Sequence, residues 1–329
     1  MPRLPTLADV NAARQRLRGI ALRTPLEPSF ELAEATGAAE VRLKREEVQP
    51  TGAFKTRGAH NKVAIVAEGR PEAALVTASS GNHGIATATA AIRHGMRLTV
   101  LVGRSVSPAK LERLRALETS RITVELAGND SDDAEAEARR RDDAGHAIYI
   151  PPYNDADVIA GQATVAVEIL EDWPDVDTIV VPIGGGGLIA GIGLWAKAVK
   201  PGLRLIGVQP AASPPMYAHF ETGSTEPMPI APTLADGVAG NIERTSITWK
   251  LNRQLVDEVV VIEEDEIADS MRWALEVPHI LLEGSAVLGI AALRTARVDV
   301  GGRNVAVVTT GRNVSPDIVR SVVAGAGPD

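Results

Sequence analysis

Thr178-Ile179-Val180-Val181-Pro182-Ile183-Gly184-Gly185-Gly186-Gly187-Leu188-Ile189-Ala190-Gly191-Ile192 passes from a β-branched block through four glycines into an apolar stretch. Residues 178–196 carry no charge, and Gly187 and Gly191 have the spacing of a membrane-helix dimer motif. Pro182 and the four glycines would break a membrane helix, so the segment reads as a buried strand, a glycine loop and a helix. Backbone N–H groups and a helix N-terminus then converge on one point, which suits either a bound phosphate or close helix packing. The run is not a Walker loop, because no Lys-Ser or Lys-Thr follows it. Nor is it a dinucleotide fingerprint in a first βαβ unit.

Similar short β-branched runs recur at 74–77, 98–102, 122–124, 203–208 and 305–308, with helical segments between them. They are continuously apolar rather than alternating, as expected of parallel strands covered by helices on both faces. The fold class is therefore α/β. Two proline-marked stretches break the rhythm, 149–154 and 210–232, and are read as a lobe boundary and a surface excursion. Thr6 and Asp9 sign the start of a first helix. The acids from Asp130 to Glu137 followed by Arg139-Arg140-Arg141 sign another, its charges matched to the helix dipole.

The chain has 329 residues, 45% hydrophobic but only 3% aromatic, enough for two lobes with aliphatic cores. A net charge of -8 with interleaved arginines argues against a nucleic-acid partner. The absence of cysteine excludes disulfides and thiolate chemistry. Met1-Pro2-Arg3-Leu4-Pro5 has no apolar signal-peptide core, and a cytoplasmic, non-membrane protein is expected.

Three further segments carry groups suited to chemistry. Lys55 lies in Thr51-Gly52-Ala53-Phe54-Lys55-Thr56-Arg57, where Phe54 offers an apolar neighbour and Arg57 a cation, the two influences that free a lysine amine of its proton. Ser79-Ser80-Gly81-Asn82-His83-Gly84 joins a strand to a helix and gathers hydroxyl, amide and imidazole groups, with His83 a general base or an orienting group. Thr310-Gly311-Arg312-Asn313 follows the last strand at the edge where open parallel sheets bind ligands.

These four motifs, in this order, resemble the fold-type II pyridoxal-phosphate enzymes, and within them the serine/threonine dehydratases and serine racemase. Asn154 with Gly161-Gln162, 235–238 and Glu283-Gly284 are similar too. The resemblance implies a two-lobed, tryptophan-synthase-β-like architecture, with residues 1–65 and 154–329 as the large cofactor domain and 66–153 as the small one. It implies Lys55 as the Schiff-base lysine and α-proton base, Phe54 beside the cofactor ring, and Asn82 on its 3-hydroxyl. Gly184, Gly185, Gly186 and Gly187 would hold its phosphate, with Thr310 at the ring nitrogen. Ser79, Ser80, Asn82, His83 and Asn154 would bind substrate. A homodimer is expected.

A neutral Thr310 makes the cofactor a weaker electron sink than an aspartate would, which favours prompt loss of a β-hydroxyl. The expected activity is a lyase reaction: water is eliminated from a β-hydroxy-α-amino acid to give a 2-oxo acid and ammonia. Candidate substrates are threonine, serine, 3-hydroxyaspartate, phenylserine or an intermediate of hydroxyectoine breakdown. Racemisation of serine or aspartate, with Ser80 as the opposite acid/base, is the alternative. A nucleotide-dependent oxidoreductase or a silent binding protein explains the glycine loop but not Lys55. Gln209 and two prolines stand where related racemases place acidic cation ligands, so no metal is expected. Arg312 is left either beside the cofactor or turned outward. Only 314–329 follow the last motif, too little for a regulatory domain.

Overall fold

The computed structural model describes residues 3–325. Met1 and Pro2 of the opening segment and 326–329 of the tail lie outside it. Two sheets organise the chain. In spatial order the larger comprises β1 (Leu26–Pro28), β2 (Glu40–Arg45), β10 (Asn304–Thr309), β7 (Thr178–Pro182), β8 (Arg204–Pro210) and β9 (Glu258–Ile262). The smaller comprises β5 (Ile122–Leu126), β4 (Arg97–Val102), β3 (Ala74–Ala78) and β6 (Ile148–Tyr149). β1 pairs antiparallel with β2, and all the other pairings are parallel.

The helices are α1 (Leu7–Arg16), α2 (Phe30–Thr36), α3 (Lys55–Gly69), α4 (Asn82–His94), α5 (Pro108–Arg115), α6 (Ser131–Asp143), α7 (Ala156–Asp172), α8 (Gly187–Val199), α9 (Pro215–Thr222), α10 (Ile247–Leu255), α11 (Glu264–Glu276), α12 (Gly284–Arg294) and α13 (Pro316–Val323). Among the described residues no helix is long and apolar enough to cross a membrane. The uncharged run 178–196 is β7, the glycine loop and α8. All five residues of β7 are buried, which is why they show no alternation.

Close packing fixes the helix that begins at Lys55. Gly58 of α3 faces Gly161 of α7, where an added Cβ would stand 2.7 Å from the Gly58 Cα. Gln162 Oε1 accepts a hydrogen bond from the Gly58 N–H at 3.2 Å. α7 and α8 are nearly as close, since a Cβ on Gly191 would lie 2.6 Å from the Ile159 carbonyl oxygen.

The helix signs read correctly at α1, where Thr6 and Asp9 form a capping box, and at α6, where Asp130 accepts from the Asp132 and Asp133 N–H groups. Four strands carry no clear sign in the sequence. β1 and β6 are only a few residues long, and β2 alternates charge with apolar residues because its Lys44 is buried against Glu168. β9, Glu-Val-Val-Val-Ile, is apolar enough, but the acids on both sides disguise it. The stretch 149–154 begins inside β6, and 210–232 is not all excursion, since it contains α9.

Candidate active site

Three strand ends meet at one cavity of about 350 Å³. β3 delivers Ser79, Ser80, Asn82 and His83, β7 delivers Gly184, Gly185, Gly186 and Gly187, and β10 delivers Thr310 and Asn313. Phe54, Lys55, Tyr153, Glu283, Lys110 and Arg113 complete much of the wall. The cavity lies at the C-terminal edges of parallel strands, where helices begin and N–H groups point outward.

The segment ahead of Lys55 is stitched to the last turn. Ala53 and Gly311 form an antiparallel bridge, Phe54 N–H donates to the Thr310 carbonyl at 3.1 Å, and Arg312 N–H donates to the Gly52 carbonyl at 3.0 Å. Gly52 takes φ +77°, a conformation that favours glycine. Lys55 is half-buried. Its Nζ donates to the Pro152 carbonyl at 2.8 Å and stands 5.1 Å from the Phe54 ring centroid. Burial pulls the ammonium down to about 8, and the Glu283 carboxylate opposes this.

Arg57 does not supply the neighbouring cation expected from the sequence. It is turned away from Lys55, with Glu46 at 2.8 Å and Glu168 at 2.7 Å, and Thr164 also accepts from it. Lys44 joins the same group through Glu168 at 2.6 Å. This is a buried, mutually compensated network, and it anchors the first turn of α3.

The glycine loop leads into α8 with Gly186 at φ +84° and no side chain over the first N–H groups. A Cβ on Gly185 would fall 2.2 Å from the Tyr153 ring, and one on Gly187 3.0 Å from the Tyr153 Cα. The loop is closely packed on one side, against Tyr153, and lines the cavity on the other. Thr310 Oγ1 is buried and has no hydrogen-bond partner. This unpartnered hydroxyl, the open nest and the partly deprotonated amine of Lys55 fit a group with a phosphate, a ring nitrogen and an aldehyde.

His83 is buried and held neutral, near 3, first by burial and then by Lys55. Its Nε2 lies 2.9 Å from the Ile150 carbonyl, so that nitrogen carries the proton and Nδ1, which has no partner, presents a lone pair. Asn154 is not part of the cavity lining. Its Nδ2 donates to Glu243 at 2.7 Å and its Oδ1 accepts from the Ile247 N–H at 3.0 Å, which supports the start of α10. Arg312 is exposed and turned outward. Gln209 is buried, donating to the Ile183 carbonyl and accepting from the Tyr217 N–H.

The residue with the strongest unread role is Glu283. It accepts from Asn82 Nδ2 at 2.8 and 3.2 Å and from the Asn313 N–H at 3.0 Å. Burial without a paired cation pushes its carboxyl up to about 7. In the sequence Glu283-Gly284 stands out only as a stretch similar to the family, with nothing to show that it meets Asn82 and Asn313. Lys110, Arg113 and Tyr153 also went unread, because each reaches the cavity from an element whose placement only the fold sets.

Residues 17–311 match the family model described as pyridoxal-phosphate dependent enzyme, and the chain belongs to that family, with the fold-type II α/β architecture and pyridoxal phosphate as cofactor. It is a pyridoxal-phosphate-dependent lyase, similar to threonine dehydratases. It is 39% identical over 318 residues to L-threonine ammonia-lyase of Thermotoga maritima, covering 97% of this chain and 78% of the relative. It is 35% identical over 311 residues to the catabolic L-threonine dehydratase of Escherichia coli K12, covering 93% and 92%. The solved structure of maize serine racemase superposes with a TM-score of 0.89 at 28% identity, covering 98% of each chain.

Proposed function

We propose that this enzyme eliminates water from a β-hydroxy-α-amino acid of the threonine or serine type to give a 2-oxo acid and ammonia. The observation that carries this is the half-buried Lys55 amine in the cavity wall, held only by the Pro152 carbonyl; desolvation lowers its ammonium to about 8, which makes neutral Nζ available near neutral pH. When bound, pyridoxal phosphate supplies an aldehyde for the substrate amine and an electron sink that loosens the α-proton. The relatives' names support the same chemistry.

In this reading Phe54 and Asn82 border the ring, the glycines 184–187 and the start of α8 bind phosphate, and Thr310 meets the ring nitrogen without offering a full charge. Glu283 and Asn313 hold Asn82 in place. The substrate carboxylate rests on the Ser79 and Ser80 hydroxyls and on the opening N–H groups of α4, those of Asn82 and His83. His83 contributes its backbone rather than its ring, because a bare Nδ1 repels a carboxylate. Asn154 acts one layer out, by supporting Glu243 and α10. Lys55 Nζ takes the proton from Cα, the electron pair expels the β-oxygen, and the same proton leaves with it as water. The enamine product then hydrolyses to the 2-oxo acid and ammonia.

The reading extends to a large lobe of 1–65 and 154–329, a small lobe of 66–153, a homodimer and a cytoplasmic location. It is tested by incubating purified holoenzyme with a panel of β-hydroxy amino acids and measuring 2-oxo acid and ammonia. Turnover of at least one is expected. The competing reading is racemisation, because Ser80 lines the same cavity as Lys55. Accumulation of the D-isomer faster than 2-oxo acid would establish racemisation instead.

A further inference from the structure

The mouth of the cavity is cationic on one side. Lys110 and Arg113 sit three residues apart on α5, hence on one face of the helix, and both line the cavity. Lys110 is neutralised by Asp236 at 2.6 Å. No carboxylate described in the structure lies within ion-pair distance of Arg113, which donates instead to the Asn313 side-chain oxygen at 2.5 Å. Asn313 Nδ2 in turn donates to Asn82 Oδ1 at 2.5 Å. The unpaired guanidinium therefore stands two hydrogen bonds from the residue that begins α4. With its α-carboxylate held at α4, serine or threonine has no second anion to offer it.

We infer that Arg113, with Lys110 beside it, selects a substrate carrying a second anionic group, a β-hydroxy-α-amino dicarboxylic acid, over serine and threonine. The inference rests on the elimination reading, with the first carboxylate on α4 and the second reaching α5. A planar guanidinium binds carboxylate through two parallel N–H donors, so it rewards this group more than a lysine could. Asp236 competes for Lys110 and leaves Arg113 as the discriminating cation. Its present acceptor, Asn313, is a neutral amide that a carboxylate can replace at little cost.

The test measures kcat/KM of the holoenzyme for 3-hydroxyaspartate, serine and threonine, before and after Arg113→Met and Arg113→Lys. The wild type is expected to prefer 3-hydroxyaspartate at least tenfold. Arg113→Met is expected to cut the ratio of its kcat/KM to that of serine by tenfold or more, and Arg113→Lys to cut it less. A second readout needs no turnover: calorimetric titration of the cofactor-free protein with malonate should show tighter binding than with acetate, and Arg113→Met should remove that difference. Equal loss for all three substrates, or serine and threonine preferred by the wild type, would overturn the inference. Turnover of none of them would instead overturn the elimination reading itself.

Discussion

Lys44 is buried and Lys55 half-buried, and their partners set them further apart. Lys44 Nζ meets the Thr24 carbonyl and the Glu168 carboxylate, within a network that also satisfies Arg57 and Glu46. Lys55 Nζ meets one carbonyl and an open cavity. Burial lowers both ammonium groups, but around Lys44 the two carboxylates Glu168 and Glu46 oppose it. Glu283 shows the same contrast among acids, because its buried carboxyl receives only amide donors whereas Glu46 receives a guanidinium. A buried charge with a full set of partners holds the fold together. One left short of partners keeps a proton equilibrium near neutral pH, which chemistry can use.

The largest effect should come from removing the reactive member of the pair. Lys55→Ala is expected to lower turnover more than about a thousandfold, over about 4 kcal/mol of transition-state stabilisation, and to abolish borohydride fixation of the cofactor. Its chemical-denaturation midpoint should stay close to wild type, and a collapse in stability would place Lys55 with Lys44. Arg57→Ala should do the reverse. It strands Glu46, leaves Glu168 with Lys44 alone, and is expected to cost about 3–5 kcal/mol in urea unfolding.

Glu283→Gln sharpens the contrast through pH. The carboxyl is raised from 4.5 to about 7, so the fold favours its protonated form. Stability is therefore undiminished below 4.5, falls as pH climbs to about 7, and is level above that. The total drop is about 3–4 kcal/mol at roughly 1.4 kcal/mol per pH unit. In Glu283→Gln that slope should vanish from denaturation curves of the cofactor-free protein. The smallest effect is expected at Thr310→Ala, whose hydroxyl has no partner to lose. Stability should change by under about 0.5 kcal/mol, while cofactor dissociation measured by absorbance should rise about fivefold, near 1 kcal/mol for one hydrogen bond.

Much of this was written locally. The glycine loop, the apolar strands and the Ser79–His83 turn are contiguous stretches, and contiguity let them be read from the sequence. Lys55 was legible by its motif, and of the two influences expected to lower its ammonium, burial acts while the cation does not, because Arg57 is paired elsewhere. Glu283, Arg113 and Tyr153 reach the cavity through long-range contacts: Glu283 meets Asn82, Arg113 meets Asn313, and the Tyr153 ring meets Gly185. No local pattern encodes such pairings. Asn154 shows the opposite limit, since its motif gives no sign of the bonds to Glu243 and to the start of α10 that the fold assigns it.

The place of β10 between β2 and β7 constrains the order of events during synthesis. The β1–β2 pair, made first, joins the rest of its sheet only through the strand made last. A growing chain on the ribosome thus holds the β1–β2 pair apart from the rest of the sheet until β10 emerges, although α3 can already set Gly58 against Gly161 of α7. Until then it has no partner for the Ala53–Gly311 bridge. The Ala53–Gly311 bridge and the cavity wall made by Thr310 and Asn313 therefore belong to the completed polypeptide, and a chain truncated before this strand would lack both.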